Sequence, residues 1–358
     1  MGTHQRLAYL TGYLPTKHLD SLRDTARENG WAVHARDAAE GDTDVPTLIS
    51  LPAWVEPIRG VFKGLGVIPG YREVDISAWF LLFFSVFFAI LIGDAGYGCL
   101  FLAATLFLRK RHPQAPSQPF QLFTVLSIAT IIWGALTGTW FGIGGNSGVG
   151  RLVDALGDEK TVMRLCFLLG AVHLTVAHAW NGMIKGIRLA ALGDLGWIPI
   201  LWGNYLLAGQ MVLNEPAPTQ VMLPLYASGF AAVVLFSKPS RNPLKRIGGG
   251  LGELLLNIIN SFVDIVSYIR LYAVGAASLA VAINFNQMAM SIELPIMLKV
   301  PVVALILLFG HGLNIILGAM GILVHGVRLN MLEFAGHLGM EWTGAGYAPL
   351  RSAPETKS

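Results

Sequence analysis

The chain has 358 residues, of which 54% are hydrophobic and only 13% charged, with a formal net charge of +3. Ordinary soluble domains carry about 25% charged residues, so the composition excludes that class, and so small a net charge gives no footprint for nucleic acid. The two cysteines, Cys99 and Cys166, lie inside apolar stretches and read as small hydrophobes, not as a disulfide or metal pair.

Residues 1–75 carry a normal density of charge and are expected to form a small cytoplasmic α/β lobe with a lead-in to the membrane. A short apolar run over 7–10 reads as a strand. Residues 16–29 have a helical pattern stopped by Gly30, and 31–35 alternate as a second strand. Arg6, Lys17, Arg23, Arg27 and Arg36 interrupt any apolar core of signal-peptide type, which places the N-terminus in the cytoplasm. Pro52, Pro57 and Pro69 discourage one long helix in the lead-in.

From residue 76 the charges retreat into short clusters between apolar stretches of about 20 residues, the length a spanning helix requires. The stretch 76–108 would be about 50 Å long as one helix and is predicted to be two, meeting at Gly93-Asp94-Ala95-Gly96-Tyr97-Gly98, with Asp94 capping the second. Further spans are predicted over 120–141, 162–184, 195–213, 221–236, 250–290 and 301–338. The fold class is therefore mostly α: a polytopic membrane protein of about eight transmembrane helices, with a membrane domain over 76–340 and a cytoplasmic tail over 341–358. Basic residues test the topology. Arg109-Lys110-Arg111, then Lys185 and Arg188, then Lys238, Arg241, Lys245 and Arg246 follow the second, fourth and sixth spans. The opposite loops hold only Arg151, Lys160, Arg164 and Lys299. This bias puts both termini in the cytoplasm by the positive-inside rule, and the expected location is a prokaryotic inner membrane.

The last two spans, each about 60 Å long if helical, exceed the hydrocarbon layer about twofold, so they must tilt, bend or project. Arg270 lies deep in the first of them, too far from either end to snorkel. A guanidinium does not deprotonate in proteins, so it is a fixed charge, suited to ionising a passing carboxylate or blocking a leak. The competing structural role is a pair with Asp264. Asn257, Asn260, Ser261, Asp264, Ser267 and Tyr268 recur at helical spacing on one face, about 110° from Arg270, and as a stripe they read as the lining of a hydrated path. In the final span His311, Asn314, Gly318, Gly321, His325 and Arg328 fall within an arc of about 100° and read as a second lining. Glu333, near the helix end, reads as a solvated charge. His173 and His178 are five apart and indicate no metal site. With no phosphate-binding loop of the Walker type, no ATP site, cofactor or metal is expected on this chain.

Four segments resemble subunit a, also called subunit I, of V-type and A-type rotary ATPases. Tyr71-Arg72-Glu73-Val74-Asp75-Ile76, leading into Phe83-Phe84-Ser85-Val86-Phe87-Phe88 and Gly93-Asp94-Ala95-Gly96-Tyr97-Gly98, looks like the entry into that family's first spans. Ser267-Tyr268-Ile269-Arg270-Leu271 matches its S-Y-x-R-L. His325-Gly326-Val327-Arg328-Leu329, followed by Glu333-Phe334, matches its second arginine motif, and Gly344-Ala345-Gly346-Tyr347-Ala348-Pro349 its ending. The resemblance implies a stator subunit forming two ion half-channels against a rotor ring of small carboxylate-bearing subunits. Arg270 and Arg328 would face the rotor, and Asn257, Asn260, Ser261, Asp264, Ser267, Tyr268, His311, Asn314 and His325 would line the half-channels. It implies a peripheral stalk or other cytoplasmic subunits and membrane lipid as partners, and no nucleic acid.

The chain departs from that family in three places. Ser278 and Gly318 stand where many members have a histidine and some a glutamate, and about 75 residues stand where the family's cytoplasmic domain usually has several hundred. The last departure keeps open an alternative, an ion-translocating partner of a different complex or a stand-alone secondary transporter. A non-conducting scaffold is disfavoured by the polar stripes, since polar groups in a membrane are costly without a purpose.

Overall fold

The computed structural model describes residues 2–4, 7–39, 42, 44–144, 151–186, 188–238 and 242–349. Of the residues used above, Arg6, Arg241 and the tail from 350 onward lie outside that set. The chain divides into two compact units, Met1–Asp75 with Met340–Ser358, and Ile76–Gly339.

In the first unit β1 (Gly2–His4) and β2 (Leu7–Tyr9) form an antiparallel hairpin, followed by α1 (Leu19–Glu28). The strand expected over 31–35 is absent. Trp31 is 62% exposed, and alternation makes a strand only where one face has a layer to cover it; the hairpin partner comes from the chain's first residues instead. The predicted α/β lobe is thus reduced to a hairpin and a helix. The lead-in carries α2 (Arg59–Leu65), ended by Gly66 in the left-handed conformation. Residues near the C-terminus return to this unit: Thr343 and Gly346 form parallel bridges with Ile68 and Thr47, and Glu73 Oε1 accepts the backbone N–H groups of Glu341 and Trp342.

Among its described residues, loops and turns aside, the second unit is helical apart from a hairpin of two-residue strands, β3 (Thr139–Trp140) with β4 (Ile143–Gly144). Its helices are α3 (Ser77–Ile92), α4 (Ala95–Arg111), α5 (Ser117–Thr137), α6 (Glu159–Lys185), α7 (Leu189–Leu213), α8 (Thr219–Phe236), α9 (Pro243–Ser267), α10 (Ile269–Met290) and α11 (Ile296–Gly321). Each predicted interval holds helix. Among the described residues five runs are long and apolar enough to cross a membrane: α5, α6, α8, α9 with α10 as 48 residues, and the 42-residue run Ile296–His337. The shorter α3 is apolar but has 16 residues, and α7 is interrupted by Asp194, Pro199 and Asn204. The protein is an integral membrane protein. Its surface fits that solvent: α9 exposes Leu255, Leu256, Ile259 and Val263, and α11 exposes Leu305, Leu308, Phe309 and Ile316.

The glycine-rich break between α3 and α4 is built as a cap. Gly93 takes the left-handed conformation that ends α3, and Asp94 caps α4 by accepting the N–H groups of Gly96 and Tyr97. The same carboxylate accepts the N–H groups of Phe141 and Gly142, so it ties the α4 start to the β3–β4 turn. Asp158 caps α6 through Thr161, whose hydroxyl and amide hold the exposed carboxyl below its usual range.

An aromatic core fixes the middle of the bundle. His173 on α6 is fully buried, with Phe83 stacked 3.9 Å away, Phe334 4.2 Å away and Phe87 edge-on. Its Nδ1 is hydrogen-bonded to the Tyr268 hydroxyl at 2.8 Å. Gly170, one turn earlier, makes room for that tyrosine: a Cβ there would sit 2.7 Å from the Tyr268 ring. We expect Gly170→Ala to cost about 1–3 kcal/mol as an overpacked site, and to displace the segment that carries Arg270. Unchanged thermal stability in that variant would refute this packing account.

Candidate functional site

Tyr268 is where the long seventh predicted span breaks. The backbone there turns through Tyr268 N–H to Ile265 O and Leu271 N–H to Tyr268 O, separating α9 from α10. The break leaves the Ser267 carbonyl free to accept from Arg270 Nε at 2.9 Å. Arg270 Nη2 then reaches Glu333 Oε1 at 2.8 Å. The same oxygen accepts from Ser267 Oγ at 3.3 Å and has Arg328 Nε at 3.8 Å. Glu333 is 5% exposed, Arg270 24% and Arg328 54%.

Glu333 is therefore no solvated charge but a buried counter-ion between two guanidiniums, and Arg270 pairs with it, not with Asp264. The reason is helical phase. At about 100° per residue, positions 328 and 333 would lie roughly 140° apart on an α-helix. Ile322–Gly326 and Leu329–Phe334 are π-helical instead, and i→i+5 bonding brings residues five apart nearly above one another. The Asn330 side-chain amide donates to the Gly326 carbonyl at 3.1 Å, the acceptor an α-helix would give to the Asn330 backbone N–H.

Asp264 has a different partner: His337 Nε2 lies 3.0 Å from its Oδ2, and His337 Nδ1 is hydrogen-bonded to His178 Nε2 at 2.8 Å. These three side chains line a cleft of about 330 Å³, with Asp194, Glu253, Asn257, Asn260 and Ser261 also on its walls. The polar stripe of α9 thus divides. Asn257, Asn260, Ser261 and Asp264 border the cleft, Ser267 joins the arginine cluster, and Tyr268 is sealed in the aromatic core. Ser261 also accepts from Asn204 Nδ2, which ties the cleft wall to α7.

The final span's polar residues separate in the same way. His311 and Asn314 join Tyr97, Ser278 and Asn286 in a second network. Tyr97 Oη is 2.6 Å from His311 Nδ1 and accepts from Asn314 Nδ2 at 3.0 Å. Ser278 Oγ donates to Asn314 Oδ1, and His311 Nε2 contacts Asn286 Oδ1. Gly318 and Gly321 serve close helix approach, since a Cβ on either would lie 2.9 Å from Ile92 or Val274. His325 is part-buried, and its Nδ1 has no hydrogen-bond partner among the described residues. The sequence alone missed Tyr97, His178, Asn286, Glu333 and His337; the available signals were the Gly93–Gly98 motif that contains Tyr97 and the Glu333-Phe334 pair in the second arginine motif. Among the described residues no group of three or more His, Cys, Asp or Glu side chains is placed to hold a metal ion.

No family model matches the chain. It is 35% identical over 96% of its length to V-type ATP synthase subunit I of Borreliella burgdorferi, and 34% identical over 98% to V-type ATP synthase subunit I 1 of Treponema pallidum. A-type ATP synthase subunit I of Archaeoglobus fulgidus is 27% identical over 91% of the chain. The match spans 60%, 59% and 56% of those relatives' own lengths, respectively. Over the part of those relatives that it spans, less than two thirds of their length, the chain is a homologue of proteins named V-type and A-type ATP synthase subunit I.

Proposed function

We propose that the chain is the ion-translocating stator subunit of a rotary ATPase, crossing the membrane about eight times with both termini in the cytoplasm. A rotor ring of carboxylate-bearing subunits would slide past the face that carries Arg270 and Arg328. The polar cleft at Asp264 would serve as the inner half-channel and the Tyr97–His311–Asn314 network as part of the outer one, with Arg270 between them. The carrying observation is the position of Arg270: part-exposed, in the interior of a 48-residue apolar helical run, with a polar assembly on each side of it along the run. A charge costs roughly 3 kcal/mol or more at mid-bilayer, so its partial exposure there is what a passing carboxylate requires. A fixed cation also keeps an arriving carboxylate ionised and blocks a direct cation path between the two assemblies.

Thiol labelling tests the two paths. In the assembled complex, with the exposed native Cys99 replaced by serine, Asn257→Cys is expected to react with a membrane-impermeant reagent from the cytoplasmic side only. Asn286→Cys should react only from the opposite side. Reaction of both from one side would rule out the two-path arrangement.

A further inference from the structure

We infer that Glu333 is a positioning residue that holds Arg270 between encounters with incoming carboxylates and sets how tightly Arg270 engages each one. The inference deepens the stator reading and rests on it.

The geometry is that of an exchangeable counter-ion. One oxygen, Oε1, takes the whole load: Arg270 at 2.8 Å, Ser267 at 3.3 Å and Arg328 at 3.8 Å. The other, Oε2, is buried with no hydrogen-bond partner among the described residues. A permanent structural pair would use both oxygens, since an arginine fork and a carboxylate match in a bidentate arrangement. Here Arg270 spends its Nε on the Ser267 carbonyl instead, so a single N–H···O contact joins it to Glu333. Arg328, more exposed and 1 Å farther away, stands ready to take the carboxylate when Arg270 turns to a new partner. The exchange is Glu333 Oε1 passing from Arg270 to Arg328, with no proton transferred and no net change in charge. The other titratable groups of the neighbourhood are His325 on the same run, Asp264 with His337, and the buried His173 and Tyr268.

The consequence is a local charge balance. Two guanidiniums and one carboxylate present a net +1 to an arriving acid. Without Glu333 that acid would meet +2, hold its negative charge more firmly and bind the transported cation less well.

The test is ATP-driven transport by the assembled complex in sealed vesicles, with the rate read against the concentration of the transported cation: pH if it is the proton, Na⁺ if it is sodium. Glu333→Gln is expected to raise the half-saturating cation concentration about tenfold, or one pH unit toward acid, as one added unit of nearby charge does. The double variant Glu333→Gln with Arg328→Gln restores net +1 and is expected to bring the value back. Glu333→Asp keeps the charge and is expected to leave the half-saturating value within about twofold, with a slower maximal rate because the shorter side chain loses its reach. If Glu333→Gln does not assemble, the double variant and Glu333→Asp carry the test. A half-saturating concentration unmoved in Glu333→Gln with only the maximal rate reduced, or, where that variant does not assemble, one displaced about tenfold in the double variant, would overturn the inference. The stator reading is judged separately by Arg270→Ala: coupled transport surviving there would end that reading, whatever Glu333 does.

Discussion

Arg270→Ala in the assembled complex is expected to lower coupled ion transport by more than about a hundredfold, the scale on which losing one preorganised charge acts, while the complex still forms. The substitution also leaves Glu333 buried, with Ser267 at 3.3 Å and Arg328 at 3.8 Å as its remaining contacts. Breaking a buried pair costs about 3–5 kcal/mol. The part-exposure of Arg270 and the nearness of Arg328 place this case at or below the lower end of that range. Transport and stability can be separated by pairing Arg270→Ala with Glu333→Gln, which removes the orphaned charge. The double variant should regain thermal stability in detergent and none of the coupled transport. Arg270→Lys should fail too. Lysine keeps the charge but cannot bond the Ser267 carbonyl and the carboxylate at once in the planar geometry that the guanidinium supplies. ATP-driven ion uptake measured on matched amounts of assembled complex decides the matter, and uptake at the parent rate in Arg270→Ala would contradict it.

Asp94→Ala is expected to destabilise the protein more than either Gly170→Ala or Arg270→Ala. Its carboxylate is 3% exposed and accepts four backbone N–H groups: Gly96 at 2.7 Å, Tyr97 at 3.2 Å, and Phe141 and Gly142 at 2.8 Å each. Losing a helix cap costs about 1–2 kcal/mol, and each amide left buried without an acceptor adds about 1–3 kcal/mol. The sum is of order 3–8 kcal/mol, enough to threaten accumulation of the protein in the membrane. Asp94→Asn should be milder. Its remaining oxygen can still serve the three donors now on Oδ1, but its amide would face the Gly142 N–H as donor against donor. Thermal unfolding of the detergent-solubilised protein should therefore rank Asp94→Ala below Asp94→Asn and both below the parent. Equal unfolding temperatures for all three would show that this carboxylate does not hold the α4 start to the β3–β4 turn.

Helix identity in the second unit was legible because lipid and a packed interior both demand long apolar runs, and those runs stand out against a charged background. The Gly93–Gly98 break and its capping aspartate were legible because capping is local: acceptor and donors lie within three residues. Arg270 was legible because a fixed charge in an apolar run has no bland surroundings to hide in. Failures came where a contact joins segments far apart in the chain. The run 31–35 has strand-like alternation, yet no layer covers it, and alternation carries no information about a neighbour. His337 and His178 meet Asp264 only because the end of the last helix packs beside α6 and α9.

Sequence by itself determined that this is a helical membrane protein, which family it resembles, and that Arg270 is a charge in need of a partner. Only the tertiary structure decided which partner. Glu333, read from its place near the helix end as a solvated charge, is instead buried beside Arg270 within the π-helical stretch Leu329–Phe334. Helical phase depends on the local backbone hydrogen-bond period, and a phase inferred from sequence assumes a regular α-helix throughout.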